Sequence, residues 1–129
     1  HKMLVIGTGN KVEDFGVGFF TKYGDGGVDL SPIADLMKSE VRICAKALGV
    51  NTDILEAKPT DGLWDDDRSD EDQIGATYPE LEWAMTFKGD LQSVSSRERE
   101  VLEIYTRLNK INQHKIIPIP ICEIPTALK

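Results

Sequence analysis

Met3-Leu4-Val5-Ile6 is the one segment of this sequence that reads as a central β-strand, and it has no companion. A short unbroken apolar run ending at Gly7 has the pattern of a strand buried on both faces of a parallel sheet. The other apolar stretch, Ile116 to Ile124, is interrupted by Pro118 and Pro120. Proline donates nothing to a ladder, so that stretch reads as an edge or an extended tail. One strand makes no sheet. The expectation is therefore a part of a parallel α/β fold, mostly helical here, with its partner strands upstream in a longer chain or in a second subunit. The first arrangement is favoured, and a start at His1, with the first Met at position 3, fits a cut chain.

A chain of 129 residues suits one domain with a modest core. Its 40% hydrophobic and 29% charged content is ordinary for a soluble globular protein. No apolar run approaches the roughly 20 residues that span a bilayer, and the N-terminal run is too short for a signal peptide. The formal net charge of −7 argues against broad contact with nucleic acid. It also means that an anionic ligand must be met by local cations, a metal or backbone N–H groups. Cys44 and Cys122 form no CxxC pair. Cys44 falls in a helical apolar pattern, which predicts a reduced, buried thiol. Sparing cysteine use and no targeting segment point to the cytoplasm.

Gly7 to Gly27 reads as a long glycine-rich loop, and connections of that length are usually functional or disordered. Phe15, Phe19, Phe20 and Tyr23 argue for order. A helix is expected next, with Pro32 in its first turn and Ser31 or Asp29 as its cap. Met37, Val41, Cys44 and Leu48 share one face, and Gly49 stops it. Thr52 to Leu55 predicts a short helical turn. A loop runs from Pro59 to about Thr77. Nine acidic residues between Asp61 and Glu82, against Arg68 alone, suit a solvated, mobile segment. Pro79 to Phe87 predicts a helix with Leu81, Ala84 and Met85 inward. Ser95 and Glu98 have capping-box spacing, with Val94 placed as a staple. Val101, Ile104, Tyr105, Leu108 and Ile111 then mark a core-facing stripe that closes near Asn112 to Lys115.

Chemistry is expected first where the strand ends, because open parallel sheets bind ligands beyond the carboxyl ends of their strands. Gly7-Thr8-Gly9-Asn10 stands there, offering close backbone approach, a hydroxyl and an amide. Glu13 supplies a carboxylate of the kind Mg²⁺ takes alongside phosphate oxygens. Thr21 to Asp29 combines Lys22, Asp25, Tyr23, Asp29 and three glycines within nine residues. Lys38 sits in the first turns of a helix, against the preference of the dipole, where a cation reinforces an anion site. His114 and Lys115 form a second cationic pair. Each signal alone is equally a turn or a solvated side chain.

Taken in order, GTGN-x2-E, GFFTKYGDGG-x-D, P-x2-D-L-x-K, KPT-x2-LW, SDE-x3-G-x2-Y and a late HK resemble the NAD synthetase family over nearly the whole chain. The resemblance implies a parallel α/β sheet of the ATP-pyrophosphatase type. It implies a homodimer with the substrate site at the subunit boundary. It also implies ATP-dependent amidation of deamido-NAD: the nicotinate carboxylate is adenylated, pyrophosphate leaves, and ammonia displaces AMP. Matched motif by motif, Thr8, Lys38 and Thr60 resemble ATP contacts, and Glu13 resembles a Mg²⁺ ligand. Lys22, Asp29, His114 and Lys115 resemble the deamido-NAD contacts.

Two departures stand out. The family's SGGxDS pyrophosphate loop is absent from residues 1–129, so the chain reads as the C-terminal part of a single synthetase domain, inactive alone. The stretch from Glu13 to Lys22 is also one residue longer than the resemblance implies. The competing readings are the synthetase domain of a glutamine-dependent NAD synthetase and a non-catalytic dimerising module. A tRNA-thiolating relative is disfavoured by the charge and by the lack of a cysteine cluster.

Overall fold

The computed structural model describes residues 2–129 except 61, 64 and 67. Three of its helices start by the same local device. Ser69, Thr77 and Ser95 each accept a backbone N–H of the first turn, while Asp72, Glu80 and Glu98 reach back to the cap residue's own N–H. These reciprocal bonds satisfy donors that a helix start otherwise leaves open. They begin α3 (Asp70–Ile74), α4 (Tyr78–Thr86) and α5 (Ser96–Ile116). α1 (Lys38–Ala47) and α2 (Thr52–Glu56) precede them, and a π-helix spans Lys11–Val17.

The core lies where α4, α5 and the π-helix meet. Leu81, Val12, Val17 and Val101 are fully buried, with Ile74, Ala76, Tyr78 and Ala84 around them. On α4, Leu81 and Ala84 face inward as predicted while Met85 is half-buried; the stripe on α5 is correct down to Leu108, and Ile111 is exposed at the far end. α5 continues to Ile116, so His114 and Lys115 occupy its last turn rather than the segment after it. The acidic segment is more ordered than predicted. Asp70 is buried and starts α3 inside the stretch read as loop. Asp61 and Asp67 lie outside the described residues.

α1 begins at Lys38, later than Pro32 suggested. Residues 32–36 form successive turns, and the helix starts where the Glu40 carboxylate can accept the Met37 N–H at 2.7 Å. Gly49 ends it at φ +74°, a left-handed conformation that glycine adopts without cost. The expected burial of Cys44 is wrong: its thiol is exposed, with Ile43 and Leu48 beside it. Nothing among the described residues packs on that side of α1.

The buried strand is also corrected. No β-strand forms among the described residues, and Met3 to Ile6 are 53–73% exposed. Their pairing is one parallel bridge between Ile6 and Leu30, with the Gly7 N–H on the Leu30 carbonyl at 2.7 Å. A segment becomes a central strand only when neighbours cover both of its edges, and Met3 to Ile6 have a neighbour on one. The tail after α5 is extended, as its prolines required, with Ile119 and Ile121 exposed, and it ends in a 3₁₀ turn at Thr126–Leu128.

Arg97 ties α5 to α4 by two bonds to Glu80, 2.8 and 2.9 Å long. Those bonds first, and the Thr77 N–H next, hold the Glu80 carboxyl at about 2, below its ordinary 4.5. A carboxyl depressed in the folded state stabilises above its unfolded value and loses that contribution as pH falls through the folded one. Arg97→Ala should therefore lower stability at pH 7 and flatten its loss between pH 4.5 and 2 by the same amount, a modest one because both side chains reach solvent. Denaturant melts across that range check it.

Candidate functional site

Asn10 begins the site. Its backbone is extended, its side chain is 2% exposed, and its carbonyl oxygen accepts the N–H groups of Val12 and Glu13 at 3.0 and 3.1 Å. Its amide donates to Glu13 Oε2 at 2.5 Å. Asn10 and Glu13 stand three apart, the spacing of a cap residue and its N3 partner. That signal was available in the sequence, and it turns the supposed loop into a helix start. The helix that follows has the wide π turn, in which the Gly18 N–H returns to the Glu13 carbonyl five residues back. A π turn holds one residue more than an α turn. Gly18 closes the turn at φ +66°, where a Cβ would also meet the Asn112 Cβ at 2.4 Å. Asn109 and Asn112 of α5 donate to the carbonyls of Gly16 and Val17 at 2.7 and 2.8 Å, and so seat the turn on the core.

Above it lies a cavity of about 380 Å³, walled by Thr8, Glu13, Asp14, Lys38, Thr60 and Asp70. Lys38, the first residue of α1, places its ammonium 2.5 Å from Glu13 Oε1. Both side chains are largely withdrawn from water. The Tyr78 hydroxyl stands 2.6 Å from the same Glu13 oxygen and 3.2 Å from Asp70 Oδ2, and the Lys38 ammonium sits 4.8 Å from the Tyr78 ring centre. Burial first, and the bond to Glu13 next, push the Tyr78 phenol far above its ordinary value, so it stays a donor. Burial, followed by the nearby charges of Glu13 and Asp25, raises the Asp14 carboxyl to about 6. No three His, Cys, Asp or Glu side chains converge into a metal cage among the described residues.

Phe19 and Asp25 separate this cavity from a second one of about 510 Å³, walled by Gly18, Phe20, Thr21, Asn112 and Lys115. Lys115 donates to the carbonyls of Gly18 and Phe20, both at 2.8 Å. The Lys22 ammonium donates to the His114 carbonyl, and the His114 ring is exposed, 3.0 Å from the Ile111 carbonyl. A third hollow, along α5 between Leu91, Leu102 and Ile111, is mainly apolar and carries no buried charge.

Of the residues singled out in the sequence, Thr8, Glu13, Lys38 and Thr60 share one cavity, and Lys115 lines its neighbour. Lys22 and His114 meet beside that neighbour. Asp29 stands apart and accepts the Val5 N–H at 2.8 Å. Tyr78 and Asp70, which complete the charged cluster, were not singled out as site residues. Tyr78 joins Asp70 to Glu13, and its contact with Glu13 crosses 65 residues of sequence, beyond any local pattern.

The sequence profile of the family described as NAD synthase matches residues 1–118. The NH(3)-dependent NAD(+) synthetase of Archaeoglobus fulgidus is 40% identical over 125 residues, covering 97% of this chain and 49% of that protein. The Mesoplasma florum enzyme of the same description is 40% identical over 112 residues, 87% of this chain and 42% of that protein. The chain thus spans about half the length of the curated relatives it matches. A solved structure of NMN synthetase from Francisella tularensis superposes with a TM-score of 0.77 at 35% identity, covering 95% of this chain and 47% of that one.

Among the described residues, Lys115 alone holds both the Gly18 and Phe20 carbonyls. Lys115→Met keeps its length and removes the donor. In the intact protein it should speed amide hydrogen exchange across residues 18–22 while leaving the α4–α5 core protected. Exchange followed by mass spectrometry reads both.

Proposed function

Because this chain belongs to the NAD synthase family, we propose that it is the C-terminal part of the synthetase domain of an ammonia-dependent NAD synthetase. The reaction is ATP-dependent amidation of deamido-NAD. The nicotinate carboxylate attacks the α-phosphate and releases pyrophosphate, and ammonia then displaces AMP to leave the amide. The observation that carries this reading is the Glu13–Lys38 pair, held out of water in a cavity that Thr8 and Thr60 also line. A chain of net charge −7 that binds a polyanion must place its cations at the ligand. Lys38 brings a cation to the cavity, and the two hydroxyls suit phosphate oxygens.

Mg²⁺ fits the donor set. Glu13 presents a hard carboxylate that already faces one cation, Asp14 and Asp25 line the same cavity, and one carboxylate suffices when phosphates complete the shell. When bound, the ion neutralises phosphate charge during adenylation and departure of pyrophosphate. Lys38 and the two threonines orient the triphosphate so that the carboxylate meets the α-phosphate in line.

Lys22, His114 and Lys115, around the second cavity, are assigned to deamido-NAD, and Asp29 joins them when the loop from Lys22 to Asp29 closes. The paired cavities, parted by Phe19 and Asp25, suit two nucleotides that must meet. The exposed surface of Met3 to Ile6 and the Ile43–Leu48 side of α1 support packing of the other half of the domain there, with its SGGxDS loop above Thr8. Two copies form the active dimer. The relatives' names favour ammonia over glutamine as donor. The NMN synthetase neighbour raises one alternative, a mononucleotide substrate, and turnover of deamido-NAD against its mononucleotide counterpart separates the two.

Two substitutions in the full-length enzyme test the assignments. Glu13→Gln should raise the Mg²⁺ needed for half-maximal rate by about tenfold or more, the worth of one charged contact. An unchanged Mg²⁺ dependence removes Glu13 from the metal site. Lys22→Ala should raise KM for deamido-NAD on the order of tenfold while leaving that for ATP nearly unchanged. The opposite split shows the loop to serve ATP.

A further inference from the structure

We propose that Tyr78 is a positioning residue of the nucleotide cavity, holding the Glu13 carboxylate and the Lys38 ammonium in the arrangement that receives Mg²⁺ and ATP. This rests on the assignment of that cavity to ATP. Tyr78 is 3% exposed and lies behind the cavity wall, yet it touches three charged side chains that form the wall. Its hydroxyl meets Glu13 Oε1 at 2.6 Å and Asp70 Oδ2 at 3.2 Å, and its ring lies under the Lys38 ammonium at 4.8 Å.

Tyr78 is itself firmly placed. It is the first residue of α4, just inside the Thr77–Glu80 capping box, and its N–H donates to Glu71 Oε1 at 2.7 Å. The hydroxyl therefore carries the position of α3 and α4 to the π-helix and α1. A tyrosine that served packing alone would be replaced by phenylalanine without loss. Here the hydroxyl donates to a carboxylate that a buried ammonium already shares, the strong class of hydrogen bond. Without it, Glu13 Oε1 is left to Lys38 alone. The carboxylate then turns toward the lysine, and both groups leave the orientation that phosphate and cation require. Partners that orient a metal-binding carboxylate are worth about ten- to a hundredfold in metal affinity.

The test is calorimetric titration of the full-length enzyme with ATP at a Mg²⁺ concentration near half-saturation, and separately with deamido-NAD. Tyr78→Phe should weaken ATP binding by about tenfold or more and leave deamido-NAD binding nearly unchanged. Tyr78→Leu, which also removes the ring beneath Lys38, should weaken ATP further. The double variant with Glu13→Gln should bind ATP no worse than Glu13→Gln alone, as expected if Tyr78 acts through Glu13. Wild-type ATP affinity in Tyr78→Phe, or equal losses for both nucleotides, overturns the positioning role. If Glu13→Gln itself leaves ATP binding unchanged, the cavity is not the ATP site and the role falls with it. If Glu13→Gln weakens ATP and Tyr78→Phe does not, only the role of Tyr78 fails.

Discussion

The carboxylate of Glu13 is withdrawn from water and shared among donors from distant parts of the chain. Asn10 reaches it from the helix cap, Lys38 from the first turn of α1, and Tyr78 from the first turn of α4. A buried carboxylate without such partners would be costly, and one with three is a fixed point. The π-helix, α1 and α4 are registered against each other through it. Removing any one donor changes the setting of the others, so the cluster acts as a unit.

The same cluster resolves the conflict between an acidic chain and the anionic substrates proposed for it. Carboxylates dominate the composition, and Asp14, Asp25 and Asp70 crowd the cavity. Burial first, and the charges of Glu13 and Asp25 after it, raise the Asp14 carboxyl there. A lysine at the start of α1, and a divalent ion in the proposed enzyme, reverse the local sign where phosphates must sit. The two cavities on either side of Phe19 and Asp25 keep that cationic point close to the segment from Gly18 to Phe20, which Lys115 holds to the end of α5.

The apolar surface left open on Met3 to Ile6 and on the Ile43–Leu48 side of α1 contrasts with the dense packing of α4 on α5. Hydrophobic burial drives folding, so a sequence that spends isoleucine, leucine and valine on exposed positions in two places is written for a larger interface. The matched relatives are about twice as long, which agrees with that reading.

Local chemistry was legible in the sequence. The Ser95–Glu98 capping box, the periodicity of α4 and α5, the stop at Gly49 and the extended proline tail depend on neighbours within a few residues, and each appears close to where its pattern placed it. The ordered motifs, read together, also picked out Thr8, Glu13, Lys38 and Thr60 as members of one site. Tertiary structure decided the rest. The run at Met3 to Ile6 has a strand's pattern, but ladder bonds need partners, and it finds one bridge. Cys44 has a core residue's spacing on a face that nothing among the described residues covers. The end of the wide turn after Glu13 is seated on α5 by Asn109 and Asn112, nearly a hundred residues away. Tyr78 gained its role from a contact across 65 positions, and a charge taken out of water by folding has strengths and partners that no linear pattern contains.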